Sequence, residues 1–499
     1  MSADDRVRAQ RTAGGRTIFD LGAPESRCVL PPPLDVPEVD LDVELGGRVR
    51  REPPRLPHVT EGEIMRHFAR LAACNFGVDT GFYPLGSCTM KYNPRVGEDA
   101  ARLAGFARMH PYQPTQTAQG VLELLHGLSV ALAEVAGLDA VTLQPAAGAH
   151  GELTGLLCIR AYHQDRGDAR KRVLIPDAAH GTNPSTAAMC GYEVTQLPSD
   201  ARGGVDLAAL GAALDTDVAA IMLTNPNTLG LFDENILKIT SAVHEVGALA
   251  YCDGANLNAI MGKARPGDMG FDALHINLHK TFATPHGGGG PGAGPVAVRE
   301  HLAPYLPGPL VRRCDDGSLD LHTPERSIGR VRSFFGNVGV LVRAYAYIRA
   351  LGGEGLSEVS EQAVISANYL KERLKSAWDL PYDRTCMHEF VLSGARMRRE
   401  HGVRTLDVAK RLLDHGFHPP TVYFPLIVEE ALMIEPTETE DLETLDAFAD
   451  AMLTIAVEAA EHPDVVVGAP YSTPVRRLDE AGAAKHPDLR WRPSPDAED

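Results

Sequence analysis

Apolar residues recur on one helical face from about residue 121, with leucines at 122, 125, 128 and 132, which predicts a helix over 121–135; a second is predicted over 152–162. Beyond it, short apolar runs alternate with helical stretches. The runs are Val173-Leu174-Ile175, then 218–223, 248–252, 273–276 and 295–298. Strand and helix in alternation predict a mostly parallel sheet covered on both faces. In such open sheets ligands bind outside the carboxyl ends of the strands, so the residues just after each run become the ones to inspect. Helical stretches over 338–350 and 358–377 lead to Phe390-Val391-Leu392, a helix near 406–413, Val422-Tyr423-Phe424 and a final helix around 442–460. The predicted architecture is α/β, with a large domain over 61–345 and a smaller C-terminal α/β domain over 346–470. Residues 1–60, rich in Pro and Arg, read as an extended arm, and 471–499 as a polar tail.

Composition narrows the possible partners. At 499 residues and 44% hydrophobic content the chain can fill two or three packed domains. Its 66 acidic against 48 basic side chains, a formal charge of -18, give nonspecific phosphate-backbone binding little support, so no nucleic acid is expected. No run of eighteen apolar residues predicts a membrane span, and acids at Asp4 and Asp5 argue against a secretory signal. A cytoplasmic protein is the expectation. Cysteines at 28, 74, 88, 158, 190, 252, 314 and 386 form neither a Cys-x-x-Cys pair nor a Cys/His cluster at zinc spacing. They read as reduced thiols, most of them small core residues, and no metal site is expected.

Four run ends carry unusual residues. The stretch Pro145-Ala146-Ala147-Gly148-Ala149-His150-Gly151-Glu152 opens a helix with small residues, which lets backbone N–H groups and the positive helix end approach a phosphate. The run at 173 ends at Asp177-Ala178-Ala179-His180-Gly181-Thr182-Asn183, the run at 248 at Asp253-Gly254-Ala255-Asn256, and the run at 273 at Asn277-Leu278-His279-Lys280. Taken singly, each is more often a turn, a cap or a satisfied histidine. Together they supply what pyridoxal phosphate needs: an amine to form an imine with its aldehyde (Lys280), a carboxylate to keep its ring nitrogen protonated (Asp253), a flat imidazole over the ring (His180) and a helix end for its phosphate (Gly148, Ala149, His150). The stretch 286–292 formally satisfies G-x-G-x-x-G, but it joins no clear strand to a helix and contains Pro291, so it reads as a tight loop beyond Lys280 rather than a dinucleotide site.

Asp253 precedes Lys280 by 27 positions and His180 precedes it by 100. These offsets resemble those of fold-type I pyridoxal-phosphate enzymes, the aminotransferase-like superfamily, and imply a contact from Thr228 to the cofactor's hydroxyl; the alternative for Thr228 is a turn residue. Longer motifs sharpen the resemblance: Phe82-Tyr83-Pro84-Leu85-Gly86-Ser87-Cys88-Thr89-Met90-Lys91, Ala179-His180-Gly181-Thr182-Asn183-Pro184, Tyr251-Cys252-Asp253-Gly254-Ala255-Asn256, Met387-His388-Glu389-Phe390 and Ile434-Glu435-Pro436-Thr437-Glu438. With these, from about residue 30 to 478, the chain resembles the glycine cleavage system P-proteins, and among them subunit 2 of the two-subunit form. One departure is His150, where glutamine is commoner in that family, which puts the weight on the backbone around it.

The resemblance implies decarboxylation of glycine at Lys280 with release of CO2 and transfer of the aminomethyl group to the lipoyl arm of an H-protein. It also implies a separate subunit 1 in a two-plus-two assembly. It implies that the loop from Ser87 to Lys91 stands at the active-site mouth, with Ser87, Thr89 and Lys91 near the substrate. Lys91 then either attracts glycine's carboxylate or is a solvated surface lysine. His279 is expected to support the phosphate or to orient Lys280. Two other readings of the residues stay open: a different fold-type I activity on a small amino acid, and a noncatalytic scaffold.

Overall fold

Seven strands organise the stretch from residue 78 to 468 in a computed structural model that describes residues 17–490 apart from 24–25, 27–31, 53, 55 and 288–291. They are β1 (Ala140–Thr142), β2 (Arg172–Pro176), β3 (Glu193–Leu197), β4 (Val218–Thr224), β5 (Leu249–Gly254), β6 (Ala273–Ile276) and β7 (Val296–Val298), in the order β1-β7-β6-β5-β4-β2-β3. Only β7 runs against its neighbours, β1 and β6. The expected mostly parallel sheet is therefore present, and β2, β4, β5, β6 and β7 coincide with the apolar runs because both their faces are covered; β1 and the largely exposed edge strand β3, Glu193-Val194-Thr195-Gln196-Leu197, match no predicted run. Leu174, Ile221 and Leu223 point to one core while Val173, Ile175, Ala220 and Met222 point to the other. Every position of β4 is buried, which is why its sequence shows no polar alternation.

The helix predicted at 121–135 spans Gln119–Ala136 and ends at Gly137 in the left-handed conformation, a φ of 67° that glycine adopts without a Cβ clash. By length and composition this helix is apolar enough to cross a membrane. Its Leu122, Leu125, Leu128 and Leu132 are instead buried against the sheet, each contributing about 1.5–3 kcal/mol. The helix expected at 152–162 is longer, Gly148–Asp165, since its glycine-rich first turn is helical.

The two helical stretches expected at 338–350 and 358–377 lie in Val338–Leu374, interrupted at Gly352, whose φ of 64° and ψ of -175° no helix accommodates. Strands β8 (Leu310–Arg313) and β9 (Leu319–His322) form a hairpin. A second core surrounds an antiparallel sheet of β10 (Phe390–Ser393), β11 (Thr421–Val422) and β12 (Ala431–Ile434), in the order β10-β12-β11. The strand expected at 422–424 is shorter than its apolar run because Tyr423 turns into the left-handed region.

Residues 17–77 and 469–490 belong to a separate unit. Its helix Glu61–Ala73 starts at a capping box: Thr60 Oγ1 accepts from the Glu63 amide at 3.3 Å, and Glu63 Oε2 accepts from the Thr60 amide at 2.8 Å. The polar tail carries the short helix Glu480–Lys485. Cys28 and residues 491–499 fall outside the described residues, as does the middle of the glycine-rich loop.

Candidate active site

A cavity of about 170 Å³ opens at the carboxyl ends of β4, β5 and β6, where the alternation of strands and helices directs it. Its wall includes Ser87, Gly148, Ala149, His180, Thr228, Asp253, His279 and Lys280, all singled out by the sequence. Glu152, Thr224, Asn256, His275 and Asn277 line it too, and sequence reasoning gave them no role.

The helix starting at Gly148 reaches the cavity because its packing face lacks Cβ atoms. A Cβ on Gly148 would lie 2.2 Å from Asn277 Nδ2, one on Gly151 would lie 2.7 Å from His275 Cβ and 2.8 Å from the Gly294 carbonyl, and one on Gly155 would lie 2.3 Å from Tyr251 Cε2. The first intrahelical bond is donated by Gly151 to Ala147 at 2.9 Å, so the amides before it have no helical acceptor. Those of Gly148 and Ala149 border the cavity, where the helix dipole favours an anion.

Asp253 ends β5 as a buried carboxylate. Its Oδ2 accepts from Asn183 Nδ2 at 3.0 Å, and its Oδ1 accepts from the Ala255 amide at 3.0 Å and lies 3.3 Å from His275 Nε2. Burial pushes this carboxyl upward, but the fields of His275 and Lys280 and the Asn183 and Ala255 hydrogen bonds outweigh it and hold the group below the ordinary range. Around it, Glu152 accepts from Asn183 Nδ2 at 3.1 Å, Thr182 Oγ1 at 2.8 Å and Thr186 Oγ1 at 3.2 Å. His275 Nδ1 lies 2.9 Å from the Tyr251 hydroxyl and its Nε2 lies 3.0 Å from Asn277 Oδ1, an arrangement that a hydroxyl donor and an Nε2–H satisfy together.

Lys280 stands in the single helical turn Leu278–Thr281 after β6, half-buried on the cavity wall. His279 beside it is pushed down to about 3 by burial and by His286 and Lys280, which keeps its ring neutral. His180 is exposed at the rim; its Nδ1 lies 2.8 Å from Thr182 Oγ1, and its ring meets Phe424 edge-on at 5.6 Å.

Several expectations need correction. Lys91 is neither at the mouth nor solvated: it is buried, and Nζ donates to Glu438 Oε1 at 2.6 Å, Asn258 Oδ1 at 2.7 Å and the Thr281 carbonyl at 2.9 Å. Thr89 is likewise buried and off the cavity wall, with its hydroxyl donating to Glu435 at 2.6 Å. Thr228 borders the cavity, but its hydroxyl donates to the Ala178 carbonyl, which competes with any contact to a ligand. The His150 ring turns away from the cavity: Nδ1 accepts from the Ala146 amide at 3.1 Å and Nε2 lies 3.1 Å from the Val331 carbonyl. Only the backbone at this position stays near the helix end.

These residues suit a cofactor that brings an anion, an aldehyde and a basic ring nitrogen. Among the described residues, Thr224 Oγ1 and Asn256 Oδ1 are buried at the cavity without hydrogen-bond partners, and burial without a partner costs about 1–3 kcal/mol each unless a ligand or water fills it.

Comparison with known proteins gives a consistent result. The family described as aminotransferase class-V matches residues 157–310, and the one described as glycine dehydrogenase, C-terminal domain, matches 359–469. A probable glycine dehydrogenase (decarboxylating) subunit 2 from Desulforamulus reducens is 60% identical over 482 residues, 96% of this chain and 99% of that protein. The protein of the same description from Thermotoga maritima is 57% identical over 478 residues, 95% of this chain and 100% of its own length. Among solved structures, a glycine decarboxylase (P-protein) of the glycine cleavage system in inhibitor-bound form superposes with a TM-score of 0.67 at 23% identity, over 91% of this chain and 99% of that one. A cysteine desulfurase from Thermococcus onnurineus reaches a TM-score of 0.60 at 16% identity, over 76% of this chain and 95% of that one. Both likenesses show the fold.

Proposed function

The chain belongs to the glycine dehydrogenase (decarboxylating) subunit 2 family, and we propose that it decarboxylates glycine with pyridoxal phosphate and passes the aminomethyl group to the lipoyl arm of an H-protein, working with a separate subunit 1. The observation that carries this reading is the convergence of Lys280, the buried ionised Asp253 and the open helix end at Gly148 on one cavity.

In this reading Lys280 would bear the cofactor's aldehyde, Asp253 would face its ring nitrogen, the Gly148 and Ala149 amides would hold its phosphate, and His180 would cover its ring. Pyridoxal phosphate, when bound, supplies an electron-accepting ring that stabilises the negative charge left on the α-carbon as CO2 departs. The chain's residues prepare for that in separable ways. Asp253 stays ionised because Asn183, Ala255 and His275 favour its charged form, so it can hold a proton at the opposing nitrogen. His279, kept neutral, can donate a hydrogen bond beside a phosphate without adding charge. Lys280, once its amine is released, is the base nearest the reacting centre and the natural carrier of a proton.

The test is covalent as well as kinetic. Borohydride treatment of the chain with pyridoxal phosphate should fix the cofactor on the peptide containing Lys280, and Lys280→Ala should lose that label. With subunit 1 and lipoyl H-protein supplied, the variant should also lose glycine-dependent exchange of labelled bicarbonate. Equal labelling of the variant, or no exchange by the complete wild-type system, overturns the reading.

A further inference from the structure

Behind the cavity lies a buried cluster that the mechanism above does not use. His388, Glu389 and Glu435 are each fully buried, and a ring nitrogen of His388 and one carboxylate oxygen of each glutamate all lie within 4.8 Å of one another. His388 Nε2 stands 3.7 Å from Glu389 Oε1 and 3.9 Å from Glu435 Oε1, and neither of its ring nitrogens has a hydrogen-bond partner among the described residues. The cluster adjoins the cavity wall through two lining residues: Glu389 Oε2 accepts from the Ser87 amide at 2.6 Å, and Glu389 Oε1 lies 3.5 Å from Asn256 Nδ2. Glu435 holds the same loop two residues on, accepting from the Thr89 amide at 2.9 Å and its hydroxyl at 2.6 Å. Ser87 and Thr89 both sit in the left-handed region, with φ of 62° and 48°, a conformation that non-glycine residues keep only when their surroundings impose it.

Two carboxylates this close and this dry cannot both ionise freely, and the donors around them are unequal. Glu435 receives two short hydrogen bonds, from the Thr89 amide and hydroxyl, which favour its charged form; Glu389 receives one short bond, from the Ser87 amide, and one long one, from Asn256 Nδ2 at 3.5 Å. The other titratable groups facing the pair are Lys280, Cys88, Cys386, His388 and Glu438; burial keeps the Cys386 thiol protonated, and the charge of Glu438 is already matched by Lys91. From this geometry, and resting on the reading of Lys280 as the reacting amine, we infer that Glu389 keeps a proton while Glu435 carries the pair's single negative charge, and that the two act as positioning residues that fix the loop 87–89, whose Ser87 lines the cavity, and set the field at Lys280.

The electrostatics agree. Burial and then the charge of Glu435 push the Glu389 carboxyl well above the ordinary range. Burial pushes Glu435 up to about 7 against the pull of its Thr89 hydrogen bonds and of Lys280. Burial pushes His388 down to about 3, which leaves its ring neutral beside them. The charged state of Glu435 therefore forms as pH rises through about 7.

The experiment has a spectroscopic arm and a kinetic arm. In the purified chain carrying 13C-labelled glutamate, infrared spectra taken well above neutrality should retain the band of a protonated carboxyl. The band should persist in Glu435→Gln and vanish in Glu389→Gln. In the glycine-dependent exchange assay with all components present, wild type and Glu389→Gln should both show activity rising through about pH 7, whereas Glu435→Gln should lose that limb and at least about tenfold in rate. A purely structural role for both acids leaves the pH profile of each variant unchanged and refutes the inference. Absence of the protonated band from the wild type does so as well, with no variant needed. Failure of the exchange assay with wild type would count against the proposed function and leave the infrared result to decide the state of the pair.

Discussion

Replacing Lys91 with methionine separates two roles for this residue, recognition of a substrate carboxylate and internal counter-charge. The side chain of Lys91 is 1% exposed and that of its partner Glu438 7%, at a separation of 2.6 Å. Burial alone would lower the Lys91 pKa, but Glu438 and Tyr347 reverse this and raise it, so the ammonium is charged in the folded chain. Methionine nearly matches the lysine stem in volume and keeps its packing, so the loss is electrostatic: a buried carboxylate is stranded, and the Thr281 carbonyl loses a donor. Breaking a buried pair by removing one partner costs about 3–5 kcal/mol. With an unfolding entropy of about 2.1 cal/mol/K per residue over residues 78–468, that corresponds to a fall in Tm of roughly 4–6 °C. Adding Glu438→Gln to Lys91→Met removes the stranded charge and should recover most of the loss. Scanning calorimetry of the two variants beside wild type measures this. A Tm unchanged in Lys91→Met, together with a raised KM for glycine, would refute the counter-charge reading and restore Lys91 to the substrate site.

Two further perturbations probe the cavity and its surroundings. Gly151→Ala inserts a methyl 2.7 Å from His275 Cβ and 2.8 Å from the Gly294 carbonyl, so the helix must lift from β6 and withdraw its amide end. Cofactor affinity, followed by fluorescence titration, should fall about tenfold or more, whereas Gly120→Ala, which meets nothing within 4 Å, should leave it unchanged. Glu440 supplies a pH signature: burial first, then Asp441, raise its carboxyl to about 7. A carboxyl whose folded pKa is raised contributes stability that is present below its ordinary value near 4.5 and is lost as pH rises through about 7. Glu440→Gln should therefore flatten the decline in Tm over that window, and an unchanged slope would show that the group is not buried in solution.

The fold was legible because its information is local and periodic. A strand covered on both faces reads as a continuous apolar run, as β4 does from Val218 to Leu223, and a helix against the sheet must repeat its leucines, as Gln119–Ala136 does. The topological rule then placed the residues after those strands near one another, so Asp253 and Lys280 fall on one cavity wall although neither is distinctive alone. Side-chain direction is different in kind, because it depends on partners far along the chain. Lys91 and Glu438 are separated by 347 positions, and nothing near Lys91 signals that its charge is already matched. Thr228 sits where spacing would put a cofactor contact, yet its hydroxyl donates to a carbonyl 50 positions away. The glutamates at 389 and 435 did leave a signal that spacing arguments passed over: each is an acid set directly against an apolar strand, β10 or β12. A charge in such a place must be paired, neutralised or used, and here one pairing partner is a backbone loop in a conformation it would not hold alone. Acids adjoining apolar runs therefore point to strained loops elsewhere in the chain, and in this protein that pointer leads from the C-terminal sheet to Ser87, which lines the cavity with Lys280.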